Sequence, residues 1–185
     1  MSFLWGAVKC LVAYLAVIPS VNAHGYLDTP AARNVVRRDD CPQCLNAGGP
    51  SVVYSHGLPG RWGVCGDPWN GPRPHEKGPY RITKSYRSGG TMDARVVLTA
   101  NHRGRWSLRL CTDPRDASQR CFDRHVLRRA DGKGPYVEVP DDVYDFKAKF
   151  VLPKVRCSRC VLQWMYETGN SCNPRGIQPV SYTHL

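Results

Sequence analysis

Two histidines carry the chemistry open to this chain. His24 follows Val21-Asn22-Ala23, small residues of the A-x-A kind at which an exported chain is cut. Cleavage there makes His24 the first residue, so one residue offers two nitrogens, its imidazole and its free α-amine. An α-amine titrates near ~7.7–8.0 and gives up its proton to a metal at small cost around neutral pH. Two or three such nitrogens in a plane suit Cu(II) better than tetrahedral zinc. The site then needs a second histidine at the same point. His102 closes the run Leu98-Thr99-Ala100-Asn101-His102, directly after a strand pattern, where a loop can present it from a rigid support. His56 and His75 fall in a Gly/Pro-rich stretch and His125 in an Arg-rich one, where solvated surface histidines are the ordinary case.

The cysteines form the other chemically capable set. Apart from Cys10, they are Cys41, Cys44, Cys65, Cys111, Cys121, Cys157, Cys160 and Cys172. An even number in an exported chain reads as a disulfide framework, with roughly a hundred possible pairings. Cys41-Pro-Gln-Cys44 and Cys157-Ser-Arg-Cys160 are both C-x-x-C, a spacing also used by zinc half-sites and redox pairs. Their wide separation and the absence of a βαβ pattern weigh toward disulfides, as does the compartment.

The compartment follows from residues 1–23, MSFLWGAVKCLVAYLAVIPSVNA, a signal peptide in which Lys9 precedes an apolar run from Cys10 to Pro19. That run is short for a membrane span of ~20 residues. The elements that must position the histidines are strands. Residues 91–100 (TMDARVVLTA) are β-branched, and 105–111 put Trp106, Leu108 and Leu110 on one face. Residues 143–152 alternate Tyr144, Phe146, Ala148 and Phe150 against charged neighbours, and 161–166 put Leu162, Trp164 and Tyr166 together, leaving Gln163 on the opposite side. Period-2 segments separated by Gly, Pro and Asp predict an all-β antiparallel sandwich. Residues 29–80, rich in Gly, Pro and Cys, read as a long disulfide-pinned loop region on that sandwich.

Composition narrows the classes further. The 185 residues suit one domain with a real core. Hydrophobic residues at 42% and charged residues at 22% exclude a disordered chain. No GxxxxGK[ST] or GxGxxG occurs, so nothing supports a P-loop or dinucleotide-binding enzyme. Lys+Arg of 26 against Asp+Glu of 15 gives a formal charge of +11. Arg37, Arg38, Arg103, Arg105, Arg109, Arg128, Arg129, Lys147 and Lys149 are candidates for a basic patch toward sulfated glycans or nucleic acid. No nucleic-acid motif accompanies them, so nucleic acid is not expected as a partner.

Four ordered blocks carry a resemblance. His24-Gly25-Tyr26-Leu27 with Pro30-Ala31-Ala32-Arg33-Asn34, Cys65-Gly66-Asp67-Pro68-Trp69, Leu98 to Gly104, and Cys160 to Tyr166 with Thr168-Gly169-Asn170-Ser171 together resemble lytic polysaccharide monooxygenases with a chitin-binding type-4 domain. The animal-type branch, auxiliary activity family 15, is the nearest in pattern. The resemblance implies an immunoglobulin- or fibronectin-III-like β-sandwich with one copper ion in a histidine brace: His24 giving amine and imidazole, His102 the third nitrogen. It implies Ala100 as the small residue crowding one axial side, and oxidative cleavage of a crystalline polysaccharide, chitin first and cellulose as the alternative. Gln163 and Glu167 are the polar candidates beside the copper, and Tyr26, Tyr54 and Trp62 the candidates to meet substrate, with Trp69 weaker. A non-catalytic chitin-binding module and a basic secreted glycan-binding protein are the other readings. The implied partners are insoluble polysaccharide and an electron donor, for a secreted, extracellular monomer with no membrane attachment after cleavage. The family continues past Gly-Asn-Ser with more cysteines and a closing strand bearing an axial aromatic. Residues 173–185 (NPRGIQPVSYTHL) lack that pattern, and Tyr182 stands out of context. Residues 24–175 are therefore expected to be the domain with its C-terminal part missing, and 176–185 an atypical tail.

Overall fold

The computed structural model describes residues 24–45, 63–67, 71–77 and 81–169. The leader 1–23, Tyr54, His56, Trp62, Trp69, Cys172, Tyr182 and the tail 176–185 lie outside the described residues. Strand β1 (His24–Thr29) opens the domain, followed by helix α1 (Arg33–Arg37), a 3-10 turn (Pro42–Cys44) and helix α2 (Pro74–Lys77). Strands β2 (Thr91–Ala100) and β3 (Arg105–Cys111) come next, then a 3-10 turn (Pro114–Asp116), helix α3 (Gln119–Asp123) and the short strands β4 (Arg128–Arg129) and β5 (Val137–Glu138). Strands β6 (Asp145–Val151) and β7 (Val161–Glu167) complete it. One sheet has the order β1-β2-β6-β4, the other β5-β3-β7, all neighbours antiparallel.

The alternation read from the sequence becomes the core. Met92, Ala94, Val96 and Leu98 of β2 and Phe146 and Phe150 of β6 face Trp106, Leu108 and Leu110 of β3 and Trp164 and Tyr166 of β7. Trp106, Leu108, Trp164 and Tyr166 are fully buried, and Trp106 meets Phe150 with ring centroids 5.6 Å apart. The sandwich reading holds. Three details differ. His24–Thr29 is a strand, which so short a segment without clean alternation did not reveal. Strand β6 starts at Asp145, and Tyr144 is 47% exposed, because the chain is still arriving from the Pro140–Val143 turn; only its carbonyl is engaged, by the Leu98 amide. Gln163 and Trp164 point to opposite faces, yet both are buried.

That last point reflects a second small core. Val64, Cys65, Cys111, Cys121, Phe122 and Val161 pack on the outer face of β3 and β7. Helix α3 seats there, its N-terminus capped by Ser118 Oγ accepting the Cys121 amide at 3.3 Å, which satisfies a donor the helix leaves open. Gln163 Nε2 donates to Val64 O and Gln119 Oε1, both at 3.0 Å, so the buried amide is paired.

Each C-x-x-C closes on itself, Cys41–Cys44 and Cys157–Cys160, and Cys111 pairs with Cys121. The zinc and redox alternatives for these pairs fall away. Cys65 is the free cysteine among the described residues, and burial pushes its thiol up to about 12. The region expected as plain loop holds α1, α2 and a buried polar cluster. Asp67 caps α2 by accepting the amides of His75 at 2.9 Å and Glu76 at 2.7 Å. His75 is therefore buried, contrary to the surface expectation, with Nε2 3.1 Å from Asp39 Oδ2.

Candidate functional site

The β1–β2 ladder decides where the first histidine sits. Its register pairs His24 with Ala100, Gly25 with Leu98 and Tyr26 with Val97, with an irregularity between His24 and Gly25. His24 thus lies at the end of β1 beside the last residue of β2, two residues before His102. Both histidines are half-buried. Gly25 permits the approach. A Cβ there would come within 2.5 Å of Leu98 Cδ2, 2.9 Å of Val97 O and 3.1 Å of Trp164 Cη2. Any larger residue after His24 would push β1 off the sheet and carry the histidine with it.

The loop carrying His102 is held from several sides. The His102 amide donates to Tyr166 Oη at 3.2 Å, and Tyr166 Oη donates to Arg103 O at 2.8 Å. The His102 carbonyl accepts the Gly169 amide at 2.8 Å. Asn101 Nδ2 donates to Pro140 O at 2.9 Å and Val143 O at 2.7 Å, while its Oδ1 accepts the Arg103 amide at 2.7 Å. Arg103 and Gly104 both have left-handed backbone, φ 55° and 89°. Gly104 is required there, since a Cβ would lie 1.9 Å from the Glu167 carbonyl oxygen. A loop satisfied this fully has one position to offer its imidazole from.

Tyr166 is the support that pattern reading alone does not disclose. Its ring alternates into the core as expected, but its hydroxyl is the bridge across the His102 turn. Burial pushes that phenol up to about 12, so it remains a proton donor to Arg103 O throughout the neutral range. Tyr166→Phe leaves the ring packing and strands two backbone groups. Copper affinity is expected to fall roughly 10–100-fold, as when an outer partner of a metal ligand is lost. Global stability should fall by only about 1–3 kcal/mol. Isothermal titration with Cu(II) beside a urea melt checks both; an unchanged copper affinity would show that the bridge does not position His102.

The donors fit copper by their chemistry. The two imidazoles come from a strand end and a tied loop, and the adjoining Ala100 presents only a methyl group. Among the described residues no group of three or more His, Cys, Asp or Glu is placed to hold a metal. The sequence profile of the family described as lytic polysaccharide mono-oxygenase, cellulose-degrading, matches residues 24–174. The chain belongs to that family. The monooxygenase superposes on the AA15 lytic polysaccharide monooxygenase from Thermobia domestica in the Cu(I) state with a TM-score of 0.73 at 31% identity, covering 86% of this chain and 94% of that one. The AA10 lytic polysaccharide monooxygenase from Streptomyces lividans aligns with a TM-score of 0.53 at 16% identity over 87% of this chain and 96% of that one, and shares the fold. None of the curated proteins matches the chain significantly. The monooxygenase is thus a copper-dependent oxidoreductase that degrades polysaccharide oxidatively.

The remaining candidate residues separate. In the monooxygenase, Glu167 ends β7 opposite Arg105, with Oε2 accepting from Arg105 Nε at 2.6 Å, one strand position from Tyr166. Gln163 sits four residues back, opposite Arg109, about 13 Å along the strand from Glu167. It is engaged by Val64 and Gln119 and is not brought to the histidines. Tyr26 is half-buried on the outward side of β1, with the same strand parity as His24. The basic residues grouped from sequence do not form one free patch. Arg37, Arg103, Arg105, Arg109, Arg129 and Lys149 each pair with an acidic side chain: Asp39, Asp141, Glu167, Asp123, Asp131 and Asp93 respectively.

Proposed function

We propose that His24 and His102 hold a single copper ion as a histidine brace, and that the protein cleaves chitin oxidatively from this site. The observation carrying the reading is the β1–β2 register, which sets His24 against Ala100 and so beside the pinned His102 loop. The brace needs a free α-amine on His24, so the chain acts as a secreted, extracellular monomer after removal of residues 1–23. Bound copper would supply redox chemistry that, with O₂ or H₂O₂ as the source of the oxygen atom and electrons from an external donor, hydroxylates the glycosidic carbon; elimination then breaks the chain. The residues' own part would be to bring the His24 amine and imidazole beside the His102 imidazole, with the methyl of Ala100 next to them, and to fix the backbone of the His102 turn through Tyr166. The chitin assignment draws on the sequence blocks; cellulose is the second reading, favoured by the description of the matching family. Mass spectrometry of products from chitin and from cellulose, with copper-loaded protein and a reductant, decides between them. Oxidised oligosaccharides from neither would refute the proposal.

Substrate contact falls to Tyr26, whose outward position near His24 lets a sugar ring stack on it at little conformational cost. Tyr26→Ala should weaken adsorption to chitin by up to about tenfold. Copper affinity should stay nearly constant, because no tyrosine atom is among the donors. Lost copper binding with unchanged adsorption would make Tyr26 a support of β1 instead.

A further inference from the structure

Among the described residues eight arginines are answered by a carboxylate, which leaves a surplus of positive charge to be located. Part of that surplus stands together at the end of the sandwich away from the histidines, where β2 begins, β3 ends and β7 begins. A cavity of about 620 Å³ opens there between the segment 81–88 and the turn 156–160. Arg33, Arg81, Lys84, Arg87, Arg156 and Arg159 line it, and no acidic residue does among the described residues. Arg81, Lys84, Arg87, Arg156 and Arg159 are exposed, and none has an acidic partner within 4.0 Å among the described residues. The cations stand on two walls. One wall is fixed where the Gly89 amide meets Pro153 O at 3.1 Å and the Leu152 amide meets Gly90 O at 2.8 Å. The other is closed by the Cys157–Cys160 disulfide, which gives that C-x-x-C a purpose: it holds Arg156 and Arg159 in place. Met92, Leu110 and Leu152 form an apolar floor, and Ile82 and Tyr86 remain 60% and 37% exposed on the rim.

We propose that this groove binds an acidic polysaccharide, a chain carrying carboxylate or sulfate groups. Unpaired cations on both walls complement a regularly charged chain, and guanidinium groups match carboxylate and sulfate oxygens in a bidentate manner. The rim's Tyr86 and Ile82 suit the apolar faces of sugar rings. A second depression shares Arg156 and Arg159 and leads on to Arg120, with Glu76, Asp113 and Asp116 also in its lining and Arg115 paired to Asp113, so the length of the cationic surface rests on the first groove. Because the groove and the histidines lie at opposite ends, an acidic matrix glycan held here leaves the copper end free to face a neutral crystalline chain. The groove does not depend on the brace.

The test uses the full chain with heparin as the sulfated probe and polygalacturonate as the carboxylated one. Polyglutamate and phosphatidylserine vesicles serve as comparators. One variant combines Arg81→Gln, Lys84→Gln, Arg87→Gln, Arg156→Gln and Arg159→Gln. A charge-matched control combines Arg38→Gln, Arg124→Gln, Arg128→Gln, Lys133→Gln and Lys147→Gln, all exposed and elsewhere. Binding to at least one glycan should weaken as salt rises from about 50 to about 200 mM, reflecting counterion release. The groove variant should lose about tenfold or more in affinity and the control no more than about threefold. Should the fivefold variant fail to fold, the pairs Arg81→Gln/Lys84→Gln and Arg156→Gln/Arg159→Gln are each expected to lose about threefold. Equal losses in groove and control variants would overturn the proposal, as would absence of glycan binding near physiological salt. Binding polyglutamate or vesicles as tightly as the glycans would also overturn it. His102→Ala should bind the glycans as the parent does, which separates this result from the fate of the copper site.

Discussion

A His102→Ala variant is expected to bind Cu(II) far more weakly than the parent, by well over the roughly 100-fold that loss of an outer partner can cost. The reason is the small number of donors. In the proposed brace residue 24 would contribute two nitrogens and His102 the third, so removing the imidazole would leave a two-coordinate remnant open to water. Among the described residues beside it, Ala100, Asn101 and Arg103 offer no neutral nitrogen donor and Tyr166 Oη is committed to the backbone. A form carrying an extra N-terminal residue should fall comparably, because its residue-24 nitrogen becomes an amide. Titration calorimetry and copper electron paramagnetic resonance read both without reference to turnover. The fold should survive, as His102 is half-buried in a loop whose hydrogen bonds are made by its backbone. Parent-like copper affinity in either form would sink the brace.

The second large effect is on stability. Trp164→Ala is expected to cost ~3–5 kcal/mol, from lost transfer energy and the cavity left behind. For a domain of this size that lowers the melting temperature by about 6–20 °C. Trp164 is fully buried, stacks on Tyr166 with centroids 5.9 Å apart, and fills the space against Gly25. Its removal therefore loosens β1 and the ring of the residue that bridges the His102 turn. Copper affinity should fall as well, even at temperatures where the variant stays folded. Trp164→Phe, which keeps much of the volume, should lose markedly less in both measurements. Denaturant unfolding of the three proteins checks the order, and a Trp164→Ala midpoint equal to that of the parent would contradict the packing described.

Strands β2, β3 and β6 were legible because each alternates polar and apolar residues over six positions, a pattern sheet burial imposes directly, and β7 by its short run of aliphatic and aromatic residues, buried on both faces. Strand β1 was not, since a Gly at its second position and a Tyr on its outward face break the alternation. Its place comes from pairing with β2, a contact between residues 66 to 76 apart in sequence. The two histidines were legible as chemistry, one by its place after Ala23 and one by its place after a strand. The supports were not. Tyr166 reads as a core aromatic in any alternation argument, and only folding brings its hydroxyl to a turn some sixty residues earlier. Gln163 shows the converse, a polar residue suggestive in sequence that the fold commits to α3 and the Val64 segment.

The same division runs through the charges. The sequence alone determined the excess of cations and the number and spacing of the cysteines and histidines, because composition and short spacings are local properties. Which cations remain unpaired was decided by tertiary structure, since ion pairs such as Arg95 with Asp145 and Arg103 with Asp141 join residues 50 and 38 apart in sequence. Which residues hold His102 in place was decided there too. Hydrogen bonds across a sandwich depend on strand register, and register is a property of the packed sheets that no single segment carries.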